Sequence, residues 1–315
     1  MIPLLVVLGV LGVSASGPLI AATLAGTSVT ALAIAFWRNA IAAVVMAGPV
    51  VVRSPQQFQR LGRREYMWSG IAGTALAFHF VCFILSLTLT SVAAATALVC
   101  LQSGWIAVFS LLRGRRLPAA VLVGLGLAFA GVVAITGLDL GSSREAVLGD
   151  VLAVSGGILA GLYTMAGGKA RQTMGTGTYT AVCYSVCAAL VAVMALSTGQ
   201  QLTGFEPLGW VGILAITAAA QLVGHTAFNH LVATLSPLVV SMFILLEIPG
   251  AALLAAVFLH EVLPAGIYAG LGLILAGLAV VVIGQRRNRS AAGPRAQPEA
   301  GSGPEARVEP ELGAD

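Results

Sequence analysis

Two ionisable side chains, Arg38 and Glu247, lie near the centres of long apolar stretches of this 315-residue chain. If these stretches cross a membrane, each charge costs at least about 2.5–3.5 kcal/mol to insert, and a residue retained at such a cost indicates a function. Their similar depth permits an ion pair. Two interpretations stay open: a structural role, as a static pair or with Arg38 capping carbonyls, or a cavity in which Glu247 binds a proton or a cationic group.

Other polar residues occupy similar stretches. His79 and His225 can each change protonation state near neutral pH and so gate or couple transport, or stay neutral and hydrogen-bond across helices. Gln221, His225 and Asn229 recur every four residues, which predicts one polar stripe on a helix that faces a cavity or another helix rather than lipid. The candidate residues for substrate binding or coupling are Arg38, His79, Gln102, Trp105, His225, Asn229 and Glu247.

The composition indicates an integral membrane protein. Hydrophobic residues make up 58% of the chain and charged residues 9%, whereas soluble domains carry roughly 25% charged residues. Apolar runs of about 20 residues recur, and each can cross a hydrocarbon core roughly 30 Å thick as a helix. The ten runs are 3–24, 28–52, 67–87, 91–112, 118–138, 148–168, 178–196, 208–229, 237–259 and 264–284.

The charges between the runs predict the orientation, because Lys and Arg remain on the cytoplasmic side. Alternate connectors are basic, and they contain Arg53, Arg60, Arg63, Arg64, Arg113, Arg115, Arg116, Lys169 and Arg171. The remaining connectors are mostly acidic and contain Asp139, Arg144, Glu145, Asp150, Glu206 and Glu261. We therefore expect a multi-pass protein of the cell inner membrane with both termini in the cytoplasm.

An internal repeat supports this topology. When residues 91–137 are shifted by 146 positions onto 237–283, Leu117-Pro118 falls on Leu263-Pro264, and glycines 124, 126 and 131 fall on glycines 270, 272 and 277. Extended backwards, the shift places His79 on His225. Because each unit holds an odd number of runs, the second must enter the membrane from the opposite side, and such inverted repeats are typical of secondary transporters.

The predicted fold class is therefore an all-α integral membrane protein with ten transmembrane helices in two inverted five-helix repeats. The first repeat covers residues 1–143 and the second 144–284. Residues 285–315 form a predicted disordered cytoplasmic tail, because they include almost no large apolar side chain. Pro249 predicts a kink beside Glu247, whereas the equivalent first-half segment 102–104 lacks proline and predicts a straighter helix.

Several classes of function find no support. The chain has no Walker loop, nucleophile elbow or dinucleotide fingerprint, so no cofactor is expected. Its four cysteines form no C-x-x-C pair, so neither a metal site nor a disulfide is predicted. The basic residues are already explained by the topology, and nucleic acid is not an expected partner. The chain is not expected to be an enzyme, since an intramembrane enzyme needs clustered His or Asp residues.

The chain resembles the EamA-type transporters of the drug/metabolite transporter superfamily over nearly its whole length except the tail. The matching stretches are 34–43, 78–102, 224–261 and the glycine-patterned 270–277. The resemblance implies two inverted halves, a central cavity lined by spans 1, 3, 4, 6, 8 and 9, and peripheral spans 5 and 10. It also implies that Glu247 and Pro249 match a Glu-Pro pair of the family and that Ser103 stands in place of a proline.

The expected function is secondary-active transport of a small metabolite, most simply export, by alternating access and with proton coupling as one hypothesis. The alternatives are an uncoupled facilitator and, less favoured, a membrane enzyme or a lipid translocator. The expected partners are a small-molecule metabolite, protons in the coupled case, and the lipid bilayer. The sequence specifies neither the substrate nor the oligomeric state.

Overall fold

The computed structural model describes residues 2–136, 143–260 and 265–291, and every regular element in these segments is a helix. The connector residues Asp139 and Glu261, and Leu263-Pro264 of the repeat, lie outside the described residues. So do residues 292–315 of the predicted tail.

Fifteen α-helices and one π-helical segment form the described part of the chain. They are α1 (Ile2–Ser14), α2 (Ser16–Gly26), α3 (Ala31–Arg53), α4 (Gln56–Gln59), α5 (Arg63–Ser86), α6 (Val92–Val99), α7 (Gln102–Leu112), α8 (Ala119–Thr136), α9 (Arg144–Ala170), α10 (Thr176–Ser197), α11 (Pro207–Ile216), the π-helix (Thr217–His225), α12 (Thr226–Leu231), α13 (Pro237–Ile244), α14 (Glu247–Phe258) and α15 (Ala265–Ala291).

Eight helical stretches are long and apolar enough to cross a membrane. They are Ile2–Gly26, Ala31–Arg53, Arg63–Ser86, Val92–Leu112, Arg144–Ala170, Thr176–Ser197, Pro207–Leu231 and Pro237–Phe258. Two shorter apolar stretches, Ala119–Ala134 and Tyr268–Val281, coincide with the fifth and tenth predicted runs. The protein is therefore a multi-pass membrane protein. Helix α15 continues to Ala291, past the predicted start of the disordered tail at residue 285.

Three of the long stretches are interrupted near their middles: at Ala15 between α1 and α2, between α6 and α7, and between α13 and α14. The α6–α7 and α13–α14 breaks lie at equivalent positions of the two halves. The expectation of a straighter first-half helix is therefore wrong. The α6–α7 break contains no proline. The Cys100 carbonyl there accepts from both the backbone N–H and the hydroxyl of Ser103, at 3.4 and 3.3 Å.

The stretches that contain the α6–α7 and α13–α14 breaks end alike. Gly114 follows α7 with φ of 72°, and His260 follows α14 with φ of 55°. These residues are 146 positions apart, the spacing of the sequence repeat. A left-handed residue is a common end of an α-helix, and glycine adopts it without cost, whereas histidine does not.

Helices α8 and α15 pack against each other in antiparallel directions through paired glycines. A Cβ atom added at Gly124 would lie 2.5 Å from the Gly277 carbonyl oxygen, and one added at Gly131 would lie 2.5 Å from that of Gly270. Only glycine permits this approach of the two backbones, as at other small-residue helix interfaces in membranes. Under the 146-residue shift Gly124 corresponds to Gly270 and Gly131 to Gly277, so the two contacts are equivalent to each other.

The π-helix divides the predicted polar stripe of residues 221, 225 and 229. At its end the Gln221 carbonyl accepts from the backbone N–H of Thr226, five residues on, and from its hydroxyl at 3.1 Å. The wider turn changes the angular spacing of side chains. Gln221 contacts α3, whereas His225 and Asn229 line a cavity.

Candidate functional site

A cavity of about 40 Å³ lies where helices from both halves of the chain meet. Its walls come from the first, third, fourth, sixth, eighth and ninth predicted spans, the set that the family resemblance implies. Five of the seven candidate residues line it, and they are His79, Gln102, His225, Asn229 and Glu247. The volume accommodates no more than a few water molecules, since one water needs at least about 10–15 Å³ measured this way.

Arg38 is fully buried and lies behind the cavity wall. Its Nε donates to Gln221 Oε1 at 2.9 Å and its Nη1 to Ser16 Oγ at 3.4 Å. Its guanidinium carbon also lies 4.0 Å from the centre of the Phe80 ring, a geometry in which the ring face attracts the cation. The remaining nitrogen, Nη2, has no hydrogen-bond partner among the described residues.

The Arg38 network extends to a second buried amide. Gln221 donates from Nε2 to Asn39 Oδ1 at 3.1 Å, and Asn39 donates to the Ala35 carbonyl at 2.9 Å. Gln221 thus joins the π-helix of the second half to α3 of the first. The hydrogen bonds of Arg38 go to Gln221 and Ser16, not to Glu247, so the ion pair that their similar depth permits is not formed.

His79 and His225 lie close together, with ring centroids 6.4 Å apart. His79 Nδ1 is 2.9 Å from the Gly156 carbonyl oxygen on α9, which requires a proton on Nδ1. This contact fits the interpretation of His79 as a histidine hydrogen-bonded across helices. The His225 ring lies 5.3 Å from that of Phe80 and 6.1 Å from that of Tyr163, so aromatic rings surround it on two sides.

Asn229 is held by two tyrosines. Tyr163 donates its hydroxyl to Asn229 Oδ1 at 2.7 Å, and Asn229 Nδ2 donates to the Tyr184 hydroxyl at 3.1 Å. Arg171 donates from Nε to the Asn229 backbone carbonyl at 2.9 Å. Each polar atom of the amide is therefore directed by a neighbouring helix, which fixes the orientation of Asn229 at the cavity.

Gln102 and Trp105 begin α7 but have different surroundings. Gln102 is buried at the cavity and accepts from the Thr164 hydroxyl at 3.4 Å. Trp105 does not line the cavity, and its buried Nε1 has no hydrogen-bond partner among the described residues. The structure therefore brings Gln102 but not Trp105 to the predicted site.

Glu247 is the first residue of α14, at the break beside α13, and is buried at the cavity. The Cys100 thiol lies 3.9 Å from its Oε2 and 3.8 Å from the Ile244 carbonyl. A thiol is a weak donor. The carboxyl group thus has little local hydrogen bonding for a group removed from water.

Several residues of the site were not among the candidates. Ser16 and Phe80 contact Arg38, and Gly156 supplies the carbonyl bonded to His79. Ser16 and Gly156 could not be recognised as site residues from the sequence, because small residues are frequent throughout the chain. Tyr163 is recognisable from the sequence as a possible hydroxyl-bearing wall residue, for which simple helix packing is the favoured interpretation. Among the described residues, no group of three or more His, Cys, Asp or Glu side chains is placed to hold a metal ion.

At the ends of the predicted outer connectors, contacts join the two halves. Glu206 accepts from the Ser28 hydroxyl at 2.5 Å and from the Ser28 backbone N–H at 2.7 Å. The hydroxyl contact first, then backbone hydrogen bonds including that from Ser28, lower the pKa of the Glu206 carboxyl. Nearby, Trp37 donates its Nε1–H to the Leu202 carbonyl at 2.6 Å.

A family model described as the EamA-like transporter family matches residues 1–137 and 147–283. The chain belongs to this family. Membership makes the protein a membrane transporter of small molecules, and the two matched segments divide the chain where the sequence repeat does. No curated protein matches the chain.

A solved crystal structure, described only as that of a protein, has a similar fold. Its TM-score is 0.69 at 19% identity, and the alignment covers 91% of this chain and 98% of the other. At this identity the likeness extends to the fold alone.

Proposed function

We propose that this EamA-family protein is a secondary-active transporter that exports a small metabolite by alternating access across the cell inner membrane, with both termini in the cytoplasm. The observation that carries the proposal is the central cavity. Buried polar side chains from both halves of the chain converge there, at the breaks of three membrane-crossing stretches. Broken helices that direct polar groups at mid-membrane are typical of transporter binding sites.

Inverted symmetry of the two halves is the second part of the proposal. The glycine contacts between α8 and α15, the α6–α7 and α13–α14 breaks, and the left-handed residues Gly114 and His260 all recur at the 146-residue spacing. Antiparallel packing of α8 on α15 is what a two-fold axis in the membrane plane requires of equivalent helices.

The size of the cavity supports movement between two states. A volume of about 40 Å³ does not admit a metabolite. The walls must therefore separate to bind a solute, and the outer contacts of Glu206 with Ser28 and of Trp37 with Leu202 are those that outward opening would break.

Glu247 is the proposed coupling residue. It is buried beside the cavity with one weak thiol contact, so a proton or a cationic group of the substrate would supply the charge compensation that water no longer provides. Arg38, His79, Gln102, His225 and Asn229 are proposed to shape or bind the polar part of the solute. Trp105 supports α7 rather than contacting the solute.

The test is solute flux in proteoliposomes with an imposed pH gradient. A thermal-shift screen against amino acids, nucleosides and sugars first identifies a ligand, because binding to the folded state raises the melting temperature. We expect Glu247→Gln to retain the fold and to lose transport driven by the gradient. Glu145→Gln, on the exposed start of α9, is the control. Gradient-driven flux that is unchanged in Glu247→Gln would exclude the coupling role and favour an uncoupled facilitator.

A further inference from the structure

A second, larger concavity lies beside α5, α7 and α9. Its volume is about 1120 Å³, and it shares no lining residue with the central cavity. This volume exceeds the roughly 300–1,000 Å³ typical of small-molecule sites. We call it the lateral groove. It stands apart from the proposed transport site and requires a separate explanation.

One wall of the lateral groove is an apolar stripe on α5. Met67, Ile71 and Phe78 line it, with exposed fractions of 48%, 44% and 44%. Their spacing of four and seven residues places them on one helix face. From Met67 to Phe78 the helix rises about 16 Å, close to the depth of one leaflet in a hydrocarbon core roughly 30 Å thick.

The end of the lateral groove nearest the start of α5 is strongly cationic. Arg113 follows α7, Arg115 and Arg116 continue the same connector, and Lys169 lies in the last turn of α9. All four are exposed. No aspartate or glutamate is among the described residues that line the groove. The positive-inside rule places these residues at the cytoplasmic surface.

We propose that the lateral groove binds an anionic phospholipid of the cytoplasmic leaflet. The phosphate lies among Arg113, Arg115, Arg116 and Lys169, and one acyl chain follows the exposed face of α5. Basic pockets between membrane helices on the cytoplasmic side bind anionic headgroups in this way. Trp68 and Tyr66 also line the groove near the charged end, where aromatic side chains favour the membrane–water interface.

Charge and shape together select this occupant. A soluble anion would satisfy the four cations but leave the apolar stripe uncovered. A zwitterionic phospholipid would cover the stripe, but its own cation would find no acidic partner in the lining. Only a lipid with a net negative charge matches both ends of the groove.

The test measures lipid selectivity of the full-length protein in phosphatidylcholine nanodiscs that contain traces of spin-labelled phosphatidylglycerol or spin-labelled phosphatidylcholine. Electron paramagnetic resonance gives the motionally restricted fraction of each. We expect the wild type to prefer phosphatidylglycerol. Changing Arg113, Arg115 and Arg116 together to Gln should lower that preference at least about tenfold, since each surface cation contributes up to about fivefold and the three factors multiply to about 100-fold at most.

A matched control removes the same charge elsewhere on the same side. Arg60, Arg63 and Arg64 are exposed and do not line the lateral groove. Their joint replacement by Gln should lower the preference less than the loss of the three groove arginines does, because they attract a headgroup only through the surface potential and make no contact with it in the groove. An equal loss in the two triple variants would mean that the groove has no role and would overturn the proposal.

A steric variant tests the apolar wall of the groove without changing its charges. Its result can be interpreted even if the triple variants do not fold. Ile71→Trp fills the apolar wall, and Val193→Trp adds the same ring at an exposed position of α10 outside the groove. We expect only Ile71→Trp to lower the restricted fraction of phosphatidylglycerol. If Ile71→Trp binds phosphatidylglycerol as the wild type does, no acyl chain follows α5 and the proposal is wrong.

Discussion

Replacing Gln221 with Leu tests whether the buried amide network holds the two halves of the protein together. Gln221 accepts from Arg38 at 2.9 Å and donates to Asn39 at 3.1 Å, and it is fully buried. Leucine has a similar volume but no polar atoms. The change therefore leaves the Nε of a buried guanidinium without its partner, and the Arg38 side chain already has one unpartnered nitrogen among the described residues.

The expected loss follows from the two hydrogen bonds. A hydrogen bond to a charged group contributes about 1.5–3 kcal/mol and a neutral one about 0.5–1.5 kcal/mol. Hydrogen bonds between helices in membranes contribute free energies at the low end of these ranges, since polar groups of the unfolded state in the membrane also find hydrogen-bond partners. We expect Gln221→Leu to lower the free energy of unfolding by about 2 kcal/mol, the low end of the summed ranges. Gln59→Leu, at an exposed position of α4, should change it by less than about 0.5 kcal/mol.

A double-mutant cycle measured by unfolding in mixed detergent micelles gives the sign of the coupling. Arg38→Met removes the charge that Gln221→Leu leaves unpaired. Removing both partners of a buried polar pair costs less than the two separate changes suggest. The double variant should therefore be more stable than the sum of the single variants predicts, by about 1–3 kcal/mol. Additivity within about 0.5 kcal/mol would refute the claim that Gln221 compensates Arg38.

Three further predictions concern other contacts. Gly131→Val should destabilise the protein by about 1–3 kcal/mol through overpacking of α8 on α15, whereas Gly126→Val, whose Cβ position is open, should cost less than half as much in the same thermal unfolding assay. His260→Gly should raise the free energy of unfolding by about 1 kcal/mol because it removes the cost of a left-handed backbone; an unchanged or lower value would contradict that reasoning. The Ser28 contacts lower the pKa of Glu206, so they stabilise the fold above the ordinary carboxyl pKa, and this stabilisation is lost as the pH falls through the lowered pKa of the folded state. Glu206→Gln should therefore reduce the fall of the melting temperature at acid pH. An unchanged fall would mean that other groups cause the acid destabilisation.

The positions of the membrane helices could be predicted from the sequence because apolar runs are set by the thickness of the bilayer. All ten predicted runs coincide with helices, and eight reach spanning length in the described residues. The break after Val99 could not be predicted in this way. The segment has no proline, and the bond of the Ser103 hydroxyl to the Cys100 carbonyl is one that Ser241 also makes inside the unbroken α13, so this residue type does not identify a break.

The site was predicted in part. His79, Gln102, His225, Asn229 and Glu247 were recognisable because polar residues in apolar runs need a polar environment, and all five line the cavity. Which of them contact one another was not predictable. Gln221 bonds to Arg38 and Asn39 instead of lining the cavity with His225 and Asn229. The depth of Arg38 and Glu247 gave no information on side-chain direction. Trp105 was selected for its residue type, which does not distinguish a cavity wall from helix packing.

The most direct test of the central claim, that the two halves are inverted in the membrane, is the labelling of single cysteines from one side. Arg115→Cys and His260→Cys are exposed positions that follow the equivalent helices α7 and α14. They are introduced after the four natural cysteines have been replaced. In sealed, right-side-out vesicles, a membrane-impermeant maleimide should label His260→Cys at once and Arg115→Cys only after permeabilisation. Labelling of both before permeabilisation, or of neither, would contradict the inverted arrangement and the transport mechanism that depends on it.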